Sequence, residues 1–378
     1  MNDNEQQITV AHLQETYVYP LYEWIYYQTI LVPNVKSLVI TPLAVNLEKY
    51  NHAETFGINE LSSPRKQWEL FSYFYLHRPW YFKQVINAKK VDIIHAQFGN
   101  VGRRALWLAK KTGAKLIVSF YGVDLAYFPN KNHTFYNELF QAVTYIIALS
   151  IDMKQVLIRL GCPEEKIKIV HVGIDCNKFS YKKRPLHKPF RFICLARFIM
   201  KKGVPYTVLA MAKVVKKYPN TQLHLVGDGP LLPTIKRYIK EYNLQNNVTI
   251  IDNINTRNPR EIAVQELYNA HALILFSTQC IDDYSATPLV VIEAQASGIP
   301  VITSDDPAVA EAVNPKYSFI VQQKNVNQLA EKMLYIIENQ QVVEKYGKAG
   351  RKHVLQNFNF SKIGEQLSEI YHEVALCR

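Results

Sequence analysis

At 378 residues, 48% of them hydrophobic, the chain is too long for one domain of ordinary size and suits two, each with an ample core. Lys and Arg outnumber Asp and Glu by 44 to 32, which calls for an acidic partner, but the basic residues come as short pairs such as Lys89-Lys90, Arg103-Arg104 and Lys110-Lys111, so no nucleic-acid tail and no nucleic-acid partner are expected. Five scattered cysteines (Cys162, Cys176, Cys194, Cys280, Cys377) without a C-x-x-C pair fit a reducing cytoplasm, the polar acidic opening does not read as a secretory signal, and no apolar run is long enough to span a bilayer, so membrane contact is expected to be peripheral at most.

Residues 1–90 carry two aromatic clusters, Tyr17 to Tyr27 and Phe71 to Lys83. The second mixes rings with His77, Arg78 and Lys83, which suits either an anionic membrane surface or a core helix followed by a surface turn. From residue 91 the pattern becomes regular. Val91 to Gly99 reads as a short buried strand, Arg103 to Thr112 as a helix, Ala114 to Asp124 as strand and loop, and Val143 to Leu149 as a further strand. Strands alternating with helices predict a parallel doubly wound sheet, whose ligands bind at the carboxyl ends of the strands. That places His95, Gln97, Tyr121 and Asp124 at a ligand-facing edge.

Residues 181–189 are polar, basic and proline-punctuated, and read as an interdomain linker. The strand Phe190 to Ala196 then opens a second domain, with Arg197 and Lys202 five apart across the following loop. A planar guanidinium fork beside a lysine point charge suits a diphosphate; a surface ion pair is the plainer alternative. Gln222 to Val226 is a strand running into Gly227-Asp228-Gly229-Pro230, on its own only a turn. Asn247 to Ile254 is the next strand with its exit loop, and Leu267 to Ser277 leads into the stretch from Ser285 to Thr303. There Thr287 suits a helix cap with Pro288 at the first helical position and Gly298 at the stop, predicting a helix over 288–297. Such a helix start turns unpaired N–H groups and a positive dipole end toward a ligand, which favours phosphate. Glu293, a turn and a half in, can accept two hydrogen bonds from a sugar diol, or can be an ordinary salt-bridged residue of a buried helix.

These segments, in this order over roughly residues 91 to 375, resemble the retaining glycosyltransferases of family 4, particularly those that build bacterial exopolysaccharides and lipopolysaccharides. Glu293 matches the second Glu of the family's Glu-x7-Glu donor motif, while Ser285 stands where the first is usual. Asp283 matches the Asp of a Gly-Asp-x-Glu-Gly-x-Pro phrase. Arg197 and Lys202 fall in a Gly-Arg-Leu-x-x-Lys-Lys-Gly-like loop with Ala196 for the first Gly. His95-Ala96-Gln97-Phe98-Gly99 is similar to His-x-His-Phe-Gly, and Phe120-Tyr121-Gly122-Val123-Asp124 to Phe-His-Gly-x-Asp, each with one His replaced.

The resemblance implies the GT-B fold: two Rossmann-like α/β domains of doubly wound parallel sheets facing a cleft, residues 1–180 on the acceptor side and 190–360 for the nucleotide sugar, joined by the 181–189 linker, with a last helix over 361–378 returning to the first domain. It implies transfer of a sugar from a UDP- or GDP-linked donor to an acceptor hydroxyl with retained configuration, without metal or other cofactor. Arg197 and Lys202 would act on the leaving diphosphate. Asp283, Ser285, Ala286, Thr287, Pro288, Leu289 and Glu293, with Ile254 near the base, would bind the donor, and His95, Tyr121, Gly122 and Asp124 the sugar or acceptor side. A lipid-linked or oligosaccharide acceptor and a cytoplasmic location, with or without an anionic membrane surface, complete the expectation. Two other readings stay open: a degenerate GT-B protein that binds sugar nucleotides or serves a partner subunit, and a different GT-B activity such as sugar-nucleotide hydrolysis or epimerisation.

Overall fold

The computed structural model describes residues 7–18, 23–131, 133–184, 189–252, 259–279 and 288–376. It divides into two compact units, Met1–Gly173 with Phe360–Arg378, and Ile174–Asn359.

The first unit is built on strands β1 (Ile8–Leu13), β2 (Thr16–Tyr17), β3 (Val35–Thr41), β4 (Leu43–Ala44), β5 (Glu54–Gly57), β6 (Ile93–Gln97), β7 (Lys115–Ser119), β8 (Tyr145–Ala148) and β9 (Ile167–Ile169). Seven of them form a parallel sheet in the order β5-β3-β1-β6-β7-β8-β9, with β2 and β4 paired at the side. β1 and β6 are buried along their whole length, because helices cover both faces of such a sheet. The order reverses direction between β1 and β6, and a crevice opens beyond the carboxyl ends of strands at such a reversal.

The helix Phe360–Leu376 completes this unit. Ile363, Leu367, Ile370, Tyr371 and Val374 recur at three- and four-residue spacing, so they share one face, and they are buried against Ile8, Val10, Ile93, Ile117 and Ile147. Burying each large apolar side chain contributes about 1.5–3 kcal/mol, which makes the last helix a principal support of the sheet. The return of the chain to its first unit is as the resemblance implied, one residue earlier than expected.

The second unit contains β10 (Arg191–Leu195), β11 (Gln222–Val226), β12 (Val248–Ile251), β13 (Ala272–Leu275), β14 (Val301–Ser304) and β15 (Phe319–Val321), parallel in the order β12-β11-β10-β13-β14-β15. Its reversal lies between β10 and β13.

The domain boundaries differ from the expected ones. The change of unit comes after Gly173 instead of at 181–189, because Cys176 and Phe179 are buried with Ile292, Ala296, Val354 and Phe358. Arg184 is 7% exposed, and its guanidinium donates to the carbonyl oxygens of Ala270 (Nε, 3.3 Å) and Ser297 (Nη1, 3.1 Å). A composition that reads as a solvated linker is therefore, as far as Arg184, a strap fastened to the second unit through main-chain oxygens.

Candidate functional site

At the reversal of the second sheet, two loops are laced together. Phe198 N–H donates to the Asp228 carbonyl (2.7 Å) and Leu231 N–H to the Phe198 carbonyl (2.9 Å). Gly227 has φ 142°, and a Cβ there would lie 2.1 Å from the Ala196 oxygen; at Gly229, φ 151°, it would lie 2.8 Å from the Phe198 oxygen. Only glycine permits this approach, which gives the Gly-Asp-Gly-Pro phrase its physical reason. The loop after β10 is thereby fixed with Arg197 exposed on it. A short turn, Met200–Lys202, follows and closes on Gly203 at φ 59°, where a Cβ would fall 1.9 Å from the Phe276 oxygen. Thr278 ties the same turn to the exit of β13, its N–H donating to the Lys201 carbonyl (2.8 Å) and its hydroxyl to the Met200 carbonyl (3.1 Å). Arg197 and Lys202 therefore both ride on backbone held at the carboxyl ends of the strands flanking the reversal.

The helix that follows β13 runs Leu289–Ala296, one residue shorter at each end than predicted. Pro288 is its cap, with ψ 116° and therefore still extended, and no side chain caps the opening N–H groups. Gly298 adopts φ 80°, and Ile299 N–H reaches back to the Ala294 carbonyl (3.1 Å), the left-handed stop read from the sequence. The expected contributions of Ile254, Asp283, Ser285, Ala286 and Thr287 lie outside the described residues. Glu293 is 2% exposed, and Arg260 Nη1 stands 2.6 Å from its Oε1. Burial raises the carboxyl pKa and Arg260 pulls it back, with the net direction upward. The Arg260 guanidinium lies 5.3 Å over the Phe179 ring.

In the first unit, the expected residues gather around the exits of β6 and β7, but two of them turn inward. His95 is buried, with Nδ1 2.6 Å from Tyr371 Oη and Nε2 2.8 Å from Ser119 Oγ. Both ring nitrogens are thus engaged inside the core, leaving none for a sugar hydroxyl. Asp124 accepts from Gly99 N–H at 2.8 Å and Tyr121 N–H at 3.0 Å, so its carboxylate joins the two loops to each other. Burial pushes that carboxyl up to about 6, against the pull of the backbone donors. Gly122 turns the loop at φ 96°. Tyr121 donates to Gln97 Oε1, with the Trp24 ring 4.8 Å and the Phe98 ring 4.6 Å from its own. Desolvation raises its hydroxyl pKa further, so it stays a neutral donor.

Sequence reasoning missed Arg260 and the partnership of Gln97 with Tyr121. The first has no local signal, since its partner is thirty-three residues away. The second could have been read from the two replaced histidines, which fall at neighbouring strand ends and were replaced together by a donor and an acceptor.

Family comparison agrees with this architecture. The description "Glycosyl transferases group 1" matches residues 177–353, and "Glycosyltransferase Family 4" matches residues 36–178. The amylovoran biosynthesis glycosyltransferase AmsK of Erwinia amylovora is 27% identical over 291 residues, 75% of this chain and 70% of its own. The putative colanic acid biosynthesis glycosyltransferase WcaL of Escherichia coli is 25% identical over 298 residues, 76% and 72% of the two chains. Among solved structures, Anabaena Alr3699/HepE in complex with UDP superimposes with TM-score 0.77 at 17% identity, covering 97% of this chain and all of its own. A glycosyltransferase from Rickettsia africae gives TM-score 0.77 at 21% identity, covering 99% and 100%. Matched over residues 36–353 by the two family descriptions, and folded as two parallel-sheet units with a returning last helix, the chain belongs to the family 4 glycosyltransferases of GT-B fold.

Proposed function

We propose that this glycosyltransferase moves a sugar from a nucleotide-diphosphate donor to an acceptor hydroxyl with retained configuration, in assembly of a bacterial cell-surface polysaccharide or glycolipid. The observation that carries the donor assignment is the pair Arg197 and Lys202, set on glycine-locked turns at the sheet reversal of the second unit. As the bond to the anomeric carbon breaks, charge develops on the leaving diphosphate, and a fixed guanidinium fork, a lysine and the N–H groups opening the helix at Leu289 would stabilise it more than the ground state. Glu293 would accept from the ribose diol. The mechanism calls on no metal, so transfer is expected to persist in a chelator. HepE was solved with UDP, and several similar mycobacterial enzymes are named as GDP-mannose-dependent, which supports a uridine or guanosine donor without choosing between them. The AmsK and WcaL names support polysaccharide assembly, on an oligosaccharide or lipid-linked acceptor. Among the described residues no helix is long and apolar enough to cross a membrane.

The test is a screen of UDP- and GDP-sugars for thermal protection and for release of nucleoside diphosphate, since a bound donor raises apparent stability by mass action. Protection by one donor, weakened in Glu293→Ala, is the expected result; no protection by any nucleotide sugar or diphosphate overturns the assignment. Ser285, in place of a carboxylate, favours a second reading as a binding protein with weakened sugar contacts. Ser285→Glu separates the two: if it creates turnover where the parent has none, the natural chain is a degenerate binder.

A further inference from the structure

The aromatic cluster that the sequence left open between core and surface is both. In the first unit a helix, Arg65–Phe71, passes through a π-helical turn, Ser72–Leu76, into a left-handed residue, His77 at φ 53°, and then a second helix, Trp80–Ala88. Tyr73 and Phe82 fill the inner face, their rings 5.9 Å apart. Trp68, Phe71, Phe74, Tyr75, Leu76 and Trp80 face outward, Tyr75 at 77% exposure. Three of them form one run: the Trp68 and Phe71 rings are 6.0 Å apart, and Phe71 stacks on Tyr75 at 5.3 Å. Ser72 donates its hydroxyl to the Arg78 carbonyl and Arg78 N–H donates to the Ser72 carbonyl (2.9 Å), so the corner is closed on itself and needs no ordering on contact.

Cations border these rings. Lys83 lies 5.4 Å over Trp80 and Arg65 lies 5.5 Å over Tyr81, with Lys66 and Arg78 on the same segment. The segment's one carboxylate, Glu69, is buried. Trp107 meets Trp80 at 4.9 Å, and Lys110 and Lys111, three and four residues further along its helix, are exposed beside it. We infer that this corner is a docking surface for an anionic lipid bilayer, with Trp68, Phe71, Tyr75 and Trp80 seated at headgroup depth and Arg65, Lys66, Arg78 and Lys83 against lipid phosphates. Indole and phenol rings prefer that boundary, and a basic border gains from negative surface potential. A second copy of the chain would bring two positive borders together, which opposes self-association through this face. The surface is argued from the first unit alone, so its failure and the failure of the donor assignment are separate events.

The test is flotation of the full chain with vesicles of phosphatidylcholine alone or mixed with phosphatidylglycerol. Co-flotation with the anionic vesicles only, falling as salt rises, is expected. Arg78→Gln and Lys83→Gln should each lower partitioning about fivefold. The triple variant Trp68→Ser, Phe71→Ser, Tyr75→Ser should lose it by roughly tenfold or more while keeping the parent's thermal midpoint, because these side chains are exposed. Brominated acyl chains should quench tryptophan fluorescence in the parent and much less in Trp68→Phe, Trp80→Phe. Equal flotation with neutral vesicles overturns the inference. So does unchanged binding in the single-cation variants together with absent quenching, or a parent dimer that the triple variant dissolves in place of any vesicle binding.

Discussion

Arg260 Nη1 lies 2.6 Å from Glu293 Oε1, an exposed guanidinium resting on a carboxylate that the rest of the second unit buries. The pair decides the protonation state of the residue assigned to the ribose. Burial alone would drive the carboxyl toward its neutral form, and Arg260 is the charge that opposes this. In Arg260→Ala the carboxyl pKa rises further, so the ionised form is lost at a higher pH than in the parent. Affinity for UDP or GDP should then fall more with decreasing pH in the variant than in the parent. Calorimetric titration at pH 6 and pH 8 checks it; a loss of affinity equal at both would mean that Arg260 acts on the nucleotide by another route.

Removing the principal groups themselves should separate binding from turnover. A charge-assisted contact is worth about 1.5–3 kcal/mol, so Glu293→Ala should weaken donor and free nucleoside diphosphate alike. Arg197→Ala should reduce kcat more than it raises the donor Kd, because in the proposed role its fork would meet the charge that grows on the diphosphate as the bond breaks. Parent-like kinetics and binding in both variants would remove them from the site.

Gly203 offers a backbone test. At φ 59°, and with a Cβ position 1.9 Å from the Phe276 oxygen, alanine forces the Met200–Lys202 turn away from the exit of β13. Gly203→Ala should cost about 1–3 kcal/mol of stability, and should weaken nucleotide binding beyond what Lys202→Ala does alone. Urea unfolding and nucleotide titration of both variants measure the two effects.

The first unit should lose stability in mild acid. Burial pushes the His12 imidazole down to about 3 and lowers His95 well below its usual range, so the folded unit refuses protons that unfolded histidines bind below about pH 6.5. Stability is therefore lost as pH falls from there toward 3. Asp124 works the other way, since a carboxyl raised to about 6 is protonated in the folded unit before the unfolded one. Burial lowers His77 as well, so the imidazoles outweigh the one carboxyl and stability falls from pH 6 toward 4. Urea midpoints across that window read the slope, and His12→Gln should flatten it.

Much of the architecture was legible because short apolar strands and glycine-bounded loops recur in chain order, and the Arg197, Lys202 and Glu293 phrases each sit beside a strand end. The linker was misread because Arg184 satisfies its charge on carbonyl oxygens, a partnership that composition does not reveal. His95 and Asp124 do stand near strand ends, but the sequence does not tell which way a strand residue points when both faces of the sheet are buried. Tyr371, which fixes His95, is 276 residues away. In the aromatic corner, the π-helical turn shifts the helical phase, so spacing alone could not sort Tyr73 inward from Tyr75 outward.

The last helix has a consequence for how the protein is made. Ile174 and Asn359, where the chain leaves the first unit and returns to it, are bridged to each other, with Ile174 N–H on the Phe358 carbonyl at 2.8 Å. The whole second unit is thus an insertion within the first. A nascent chain on the ribosome can finish the inserted unit while the apolar face formed by Ile8, Val10, Ile93 and Ile117 still waits for residues 360–376. At about 5–20 residues per second the wait lasts on the order of ten seconds or more, during which that face is open to chaperones or to aggregation. Messages cut short just before codon 360 should therefore yield a folded second unit joined to an insoluble first one.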